Sequence, residues 1–310
     1  MSRISKSIYK NGNYLVFLDG FTKRFRSLKY GETELISEFP DNIDIKLTNN
    51  CYQGCPFCHE NSIPFGAHFR LERTKEILDF LPNNPIELAM GGGNLLEIPD
   101  DTLGDFINWC ENTKGFLLRA TLFMKDFISS RYKRSVLFRS SIPLGVSLLH
   151  FNDATKLKID ETLDDCWFIS GIVFHIIAGV FPKEDLQALF SDVYIHRILV
   201  LGYKSMGRGK DYTPTNLKDW ELELKRCMNN SNKSICVAFD DLAIEQLNIN
   251  GAVCEKDWRL RYMGPEFSHS MYIDAVKEEF AKSSTDINRF SWNDINILDF
   301  YGTDKKRTIS

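Results

Sequence analysis

Apolar and polar residues alternate along this chain with two different periods, and the switches between them mark out its elements. Near the start, residues 14–18 (YLVFL) are apolar, Asp19-Gly20 is a tight-turn signal and residues 21–26 alternate; together they predict a β-hairpin that caps the fold. Phe39-Pro40-Asp41-Asn42 then breaks the chain. Ile43, Ile45 and Leu47 alternate with Asp44 and Lys46 as a first core strand. Helical spacing over 71–81 stops before Pro82, and residues 86–90 read as a second strand. The alternation goes on with a helix over 100–112, a strand over 116–123, a basic amphipathic stretch over 125–139 and strands over 144–149 and 173–180. A helix over 183–190 and a strand over 196–201 complete it. Past Asp211 the rhythm loosens into a helix over 217–227, a short strand at 235–239, a helical turn at 242–247, a hairpin from 270–273 and 277–281, and a charged tail at 304–307 that reads as frayed. There is no internal repeat and no low-complexity segment.

Strands that alternate with helices imply a parallel sheet with right-handed crossovers. The fold class expected is α/β: a partial (β/α)6 TIM-like barrel over 41–212, with an N-terminal β-hairpin cap over 1–40 and a small C-terminal α/β extension over 213–310. A length of 310 residues suits one such barrel with appendages. At 43% hydrophobic and 13% aromatic residues the chain can bury a sizeable core, which excludes a disordered protein. The 38 basic and 42 acidic residues leave a formal charge of −4, so nothing global draws it to nucleic acid or anionic lipid; only the basic stretch 125–139 keeps a local groove open. Residues 1–6 lack the apolar core of a secretory signal. Residues 166–181 contain no Asp, Glu, Lys or Arg, but the run is shorter than a span of ~20 residues and includes Ser170, Gly171, His175 and Gly179, so it reads as buried strand. A cytoplasmic location is expected.

The chemistry concentrates directly after the first core strand, where barrels keep their active sites. Cys51, Cys55 and Cys58 stand there at the spacing C-x3-C-x2-C. Three thiolates from one short loop hold three irons of a cubane [4Fe–4S] cluster, whereas an electron-transfer cluster takes four cysteines. The fourth iron is then open, as in catalytic rather than structural metal centres. Gly54 and Pro56 fit a tight loop that turns its amides toward sulfur. The plain alternative is a structural zinc site or three ordinary thiols. Zinc wants four ligands, no second C-x2-C exists, and His59 adjoins Cys58 too closely to share its metal.

With Phe57 just before the third cysteine, this loop resembles the signature of the radical S-adenosylmethionine (radical SAM) superfamily, and the resemblance covers about residues 43–209. It implies that the amino and carboxylate groups of SAM chelate the open iron. One electron from an external donor, such as flavodoxin or ferredoxin, then cleaves SAM to a 5′-deoxyadenosyl radical that takes hydrogen from a substrate. It also implies that Phe57 lies near the adenine. Met90-Gly91-Gly92-Gly93-Asn94 matches the place of a Gly-Gly-Glu-like motif that binds the amino group of SAM. Here Gly93 stands where the glutamate would be, so the carbonyls of Gly91 and Gly92 and the Asn94 side chain would take over. Ser147 matches a position that touches the SAM carboxylate or ribose, and Ile177-Ala178-Gly179 one that borders the adenine.

Other candidates are less specific. The loop 202–210 combines glycines with Lys204, Arg208 and Lys210, which suits either an anionic group at the barrel mouth or a solvated loop. His59 and Glu60 are placed to position substrate or a proton, or to support the loop. Cys110, Cys166, Cys227, Cys236 and Cys254 form no C-x2-C, so each is expected to be a buried apolar side chain and no auxiliary cluster is encoded. A peptide or protein substrate is the first expectation, followed by a nucleotide or small metabolite and then tRNA. A non-catalytic zinc or iron–sulfur regulatory protein is the reading from another class.

Overall fold

In the computed structural model the described residues are 7–18, 24–28, 31, 34–140, 142–152, 155, 156, 158, 159, 161, 172–231, 235–256, 258, 262 and 264–303. The turn expected at Asp19-Gly20, Cys166 and the tail at 304–307 lie outside them. The chain is mixed α/β with a large, mainly parallel sheet, and it forms two compact units. Unit 1 comprises Met1–Asn50, Phe65–Arg119 and Met263–Ser310; unit 2 comprises Cys51–Pro64 and Ala120–Tyr262.

Unit 1 opens with a three-stranded antiparallel sheet, β1 (Ser7–Asn11), β2 (Tyr14–Leu18) and β3 (Arg24–Leu28). The hairpin expected from the sequence is β2 and β3; β1 adds a third strand that its polar pattern did not announce. The buried Asp41 ties this sheet down. It accepts hydrogen bonds from Tyr9 Oη (3.1 Å), Asn11 Nδ2 (2.8 Å), Tyr14 Oη (3.0 Å) and Arg26 Nε (2.7 Å), and Arg26 Nη2 pairs with it at 2.7 Å. A carboxylate so fully satisfied is tolerated in a core, where an unpaired one would not be.

Asp41 directly precedes β4 (Asn42–Thr48), the strand that leads to the cysteines. In unit 1, β4 pairs in parallel with β5 (Glu87–Gly92) on one side and β11 (Ser270–Asp274) on the other. The alternation read from the sequence explains the packing: Ile43 stands between Leu88 and Met271, and Ile45 between Met90 and Ile273, all buried. Each such side chain stabilises the fold by roughly 1.5–3 kcal/mol. The helix Leu71–Asp79 covers this layer with Ile77 and Leu78, and the helix Asp100–Trp109 with Leu103, Phe106 and Ile107. The expected helix over 100–112 instead passes into a π turn at Cys110–Lys114, closed by Gly115 in the left-handed region. The expected C-terminal hairpin exists as β11 and β12 (Glu279–Ala281), antiparallel, and β13 (Phe290–Ser291) extends it. Its pairing with β4 was not foreseen.

The strand β6 (Leu117–Phe123) begins in unit 1 and ends in unit 2. In unit 2 it is followed, in parallel and in order, by β7 (Leu144–Ser147), β8 (Val173–Ile177), β9 (Arg197–Leu201) and β10 (Cys236–Phe239). Leu122, Val146, Phe174 and Ile198 form one buried row across β6 to β9. The helices Lys183–Ser191 and Leu217–Asn230 supply Leu186, Leu189, Phe190, Trp220 and Leu224 to the core of this unit. The basic stretch over 125–139 is not one helix but three short ones, Met124–Phe127, Ser130–Arg134 and Val136–Ser140. The break has a local cause, since Ser129 turns extended and its hydroxyl caps Tyr132 N. The strand order ends at β10 and β13, so among the described residues the sheet is open and not a closed barrel.

Candidate active site

In unit 1, the C-terminal end of β4 and the glycine run that ends β5 are bolted together backbone to backbone. Thr48 O accepts from Gly93 N (2.7 Å) and Asn50 O accepts from Asn94 N (2.8 Å). Thr48 Oγ1 accepts from Asn50 N (2.9 Å), and Asn50 Oδ1 accepts from Phe65 N (3.0 Å), which fixes the residues just before Cys51. This closeness explains two of the three glycines. A Cβ on Gly92, whose φ is +108°, would stand 2.6 Å from Thr48 O and 2.7 Å from Lys46 Cγ; one on Gly93 would stand 2.4 Å from Asn50 O. A Cβ on Gly91 would meet nothing within 4 Å, so no packing neighbour explains that glycine. The Asn94 side chain is buried and accepts from Leu96 N (3.0 Å), capping the short turn Leu95–Glu97. Behind Gly92, Lys46 forms a buried ion pair with Asp274 at 3.4 Å.

In unit 2, residues 51–64 form a loop pinned shut by Cys51 N donating to Ile63 O (3.0 Å). Cys58 N donates to Cys55 O (3.2 Å), and Gly54 takes the left-handed conformation, as the notion of a tight loop required. The loop after β9 is laid against it. Arg208 N donates to Cys58 O (3.0 Å), Nε to Cys55 O (2.9 Å), and Nη1 to Ser62 O (2.8 Å) and Asn61 Oδ1 (3.4 Å). Gly207, at φ +56°, leaves no room for a side chain, since a Cβ would stand 2.5 Å from His59 O. A Cβ on Gly209 would stand 2.5 Å from Lys204 O. Tyr203 Oη donates to Gly209 O and to Tyr212 O (3.0 Å), and the Phe57 ring meets Tyr212 edge-on at 5.7 Å between centroids. Gln53 Nε2 donates to Asp126 Oδ2 (2.6 Å), and His59 Nε2 lies 3.4 Å from Glu60 Oε1.

The three cysteines of this loop are free and half-buried. Burial is the largest influence on Cys51 and Cys55 and pushes both thiols up. The neighbouring cysteines push the same way, which means their thiolates would repel; Arg208 pulls both down. Among the described residues no three His, Cys, Asp or Glu side chains converge to hold a single ion. A cubane makes a different demand, since each sulfur bonds a different iron. Three soft, unpaired thiols in one closed loop therefore fit such a cluster.

Ser147 ends β7, half-buried, in register with Phe123 on one side and His175 on the other. His175 was not singled out from the sequence as a site residue. Its ring lies over Gly145, where a Cβ would stand 2.3 Å from Cε1, and burial lowers its pKa to about 4, so the imidazole is neutral. Gly179 is packed against the segment before the helix Leu217–Asn230 and accepts from Thr215 N at 2.8 Å. Cys110 and Cys227 are buried as expected, and burial pushes Cys227 up to about 11. Cys236 and Cys254 are exposed, which corrects the expectation of burial; Cys236 opens β10, which lies at an end of the strand order. The contacts that sequence reasoning did not foresee are those of Arg208. Of its flanking glycines, Gly207 marks contact with the cysteine loop and Gly209 contact with Lys204 O.

No family model and no curated protein matches the chain. Solved structures do. Streptococcus suis SuiB bound to the precursor peptide SuiA aligns with a TM-score of 0.61 at 14% identity, over 87% of this chain and 66% of SuiB. SuiB bound to S-adenosylmethionine aligns at 0.56 and 14%, over 87% and 68%. Native anSMEcpe with bound AdoMet and Cp18Cys peptide aligns at 0.56 and 11%, over 86% and 82%. The likeness is one of fold. The chain spans about two thirds of the length of SuiB.

Proposed function

We propose that the chain is a radical SAM enzyme in which Cys51, Cys55 and Cys58 hold three irons of a [4Fe–4S] cluster and SAM occupies the fourth. The observation that carries this reading is the loop 51–64: three free, half-buried thiols within fourteen residues whose backbone is closed by Cys51 N donating to Ile63 O. The fold shared with proteins crystallised with bound S-adenosylmethionine supports it. When bound, the cluster supplies the electron that cleaves SAM to the 5′-deoxyadenosyl radical. The protein's own residues bind and orient. Gly91, with open space where a side chain would be, lets the SAM ammonium reach backbone carbonyls, while Gly92, Gly93 and Asn94 keep that segment flush with the end of β4. Phe57 packs near the adenine, and the Ser147 hydroxyl serves the carboxylate or ribose.

A peptide or protein is the substrate class we favour, because SuiB was crystallised with precursor peptide SuiA and anSMEcpe with a Cp18Cys peptide. The parallel strands form part of a (β/α)6 barrel over 41–212, flanked by a cap over 1–40 and an extension over 213–310. A flavodoxin or ferredoxin delivers the electron, in the cytoplasm. Among the described residues no helix is long and apolar enough to cross a membrane. The test is anaerobic reconstitution with iron and sulfide, then SAM and dithionite. The wild type should yield 5′-deoxyadenosine, and Cys51→Ala, Cys55→Ala and Cys58→Ala none. Bound zinc in place of iron would overturn the reading in favour of a regulatory metal protein.

A further inference from the structure

We propose that Arg208 is the clasp of the cysteine loop and the cation that sets the cluster's potential, a role that rests on the reading of that loop as a cluster site. Its sequence context suggested an anion-binding loop. The geometry assigns its donors elsewhere. One residue closes four contacts on the segment 55–62, reaching Cys55 O, Cys58 O, Asn61 Oδ1 and Ser62 O. Two of those carbonyls belong to the cysteines themselves. The planar guanidinium spans Cys55 O and Ser62 O at once, which an ammonium on a flexible stem cannot do. The flanking Gly207 brings its backbone flush against the loop, where a Cβ would stand 2.5 Å from His59 O and 2.7 Å from Cys58 O, while Gly209 fits against Lys204 O of its own segment.

The charge matters separately. The hydrogen bonds of its guanidinium go to carbonyl and amide oxygens, so its positive charge stands against the cysteine loop at 2.9 Å from Cys55 O, while Asp126, which accepts from Gln53 Nε2 at 2.6 Å, sets an opposing charge against the same loop. A cubane on three thiolates is an anion and gains one more negative charge on reduction, so a nearby cation favours the reduced form and raises its potential.

The test compares Arg208→Met and Arg208→Lys with the wild type after anaerobic reconstitution. Iron loss to a chelator and the midpoint potential are read, and thermal unfolding checks that each chain folds. Arg208→Met should lose iron more than about tenfold faster, the size of one lost charge-assisted hydrogen bond, and its cluster should reduce at a more negative potential. Arg208→Lys keeps the charge and loses the fork, so it should lose iron quickly yet hold a potential near the wild type. Wild-type iron retention in both variants would overturn the clasp, and a wild-type potential in Arg208→Met would overturn the electrostatic role. If the wild type binds no iron at all, the enzyme reading falls while the clasp stays testable on the apo chain. Proteolysis within 51–64 should then be faster in Arg208→Met, and an equal rate would overturn the clasp.

Discussion

The segments Gly91–Gly93 and Gly207–Gly209 look alike in the sequence, each a glycine cluster just past a core strand, yet they use their glycines differently. In the second, both glycines are needed for contact: Gly207 fits against His59 O, Gly209 against Lys204 O, and Arg208 between them is committed to the cysteine loop. In the first, Gly92 and Gly93 are needed for contact with the end of β4, while Gly91 faces open space. A glycine cluster at a strand end thus has two physical causes, close backbone packing and access for a ligand. Only the atoms around each glycine separate them. By that measure Gly91 is the one of the five that packing does not explain, and it is the position we propose for the ligand.

The sharpest way to break this comparison is Gly92→Ala. A side chain at φ +108° and 2.6 Å from a carbonyl oxygen should destabilise the chain by about 3 kcal/mol, read as a lowered midpoint in urea. Gly207→Ala should cost less, about 1–2 kcal/mol, because φ +56° is tolerated by other residues and the collision with His59 O is the main strain; iron retention should fall with it. Gly91→Ala should leave stability within about 0.5 kcal/mol while weakening SAM binding at least tenfold by calorimetry. Equal Tm losses at Gly91 and Gly92 would erase the distinction. The smallest effect is expected away from both segments. Cys236→Ala should change neither iron content nor 5′-deoxyadenosine yield, and iodoacetamide at pH 8 should label Cys236 long before Cys227, which is buried with its thiol pushed up to about 11.

Local periodicity made most of the fold legible. Ile43, Ile45 and Leu47 announced β4, and the spacing over 71–81 announced the helix that covers it, because both patterns arise from which face is buried. The pairing of β11 with β4 was not legible, since nothing in residues 270–274 says which distant edge they join. The broken basic stretch depended on one serine turning its hydroxyl to the backbone, a choice that hydrophobic patterning does not record. At the site, the cysteine spacing alone is the ground for the chemistry we propose. The contacts of Arg208 were not legible, for a definite reason. An arginine between glycines suits an anion or a set of carbonyls equally, and carbonyls are present in every residue, so no side-chain pattern encodes them. His175 was read only as part of a buried strand, because its setting over Gly145 exists only across two strands.

The central claim is that the loop 51–64 presents a cluster with one iron open to SAM. Electron paramagnetic resonance of the reconstituted chain, reduced anaerobically with dithionite and recorded with and without SAM, tests it most directly. The expected result is a reduced-cluster signal whose g-values move when SAM is added. A signal indifferent to SAM, or no signal from a chain that carries zinc, would contradict it.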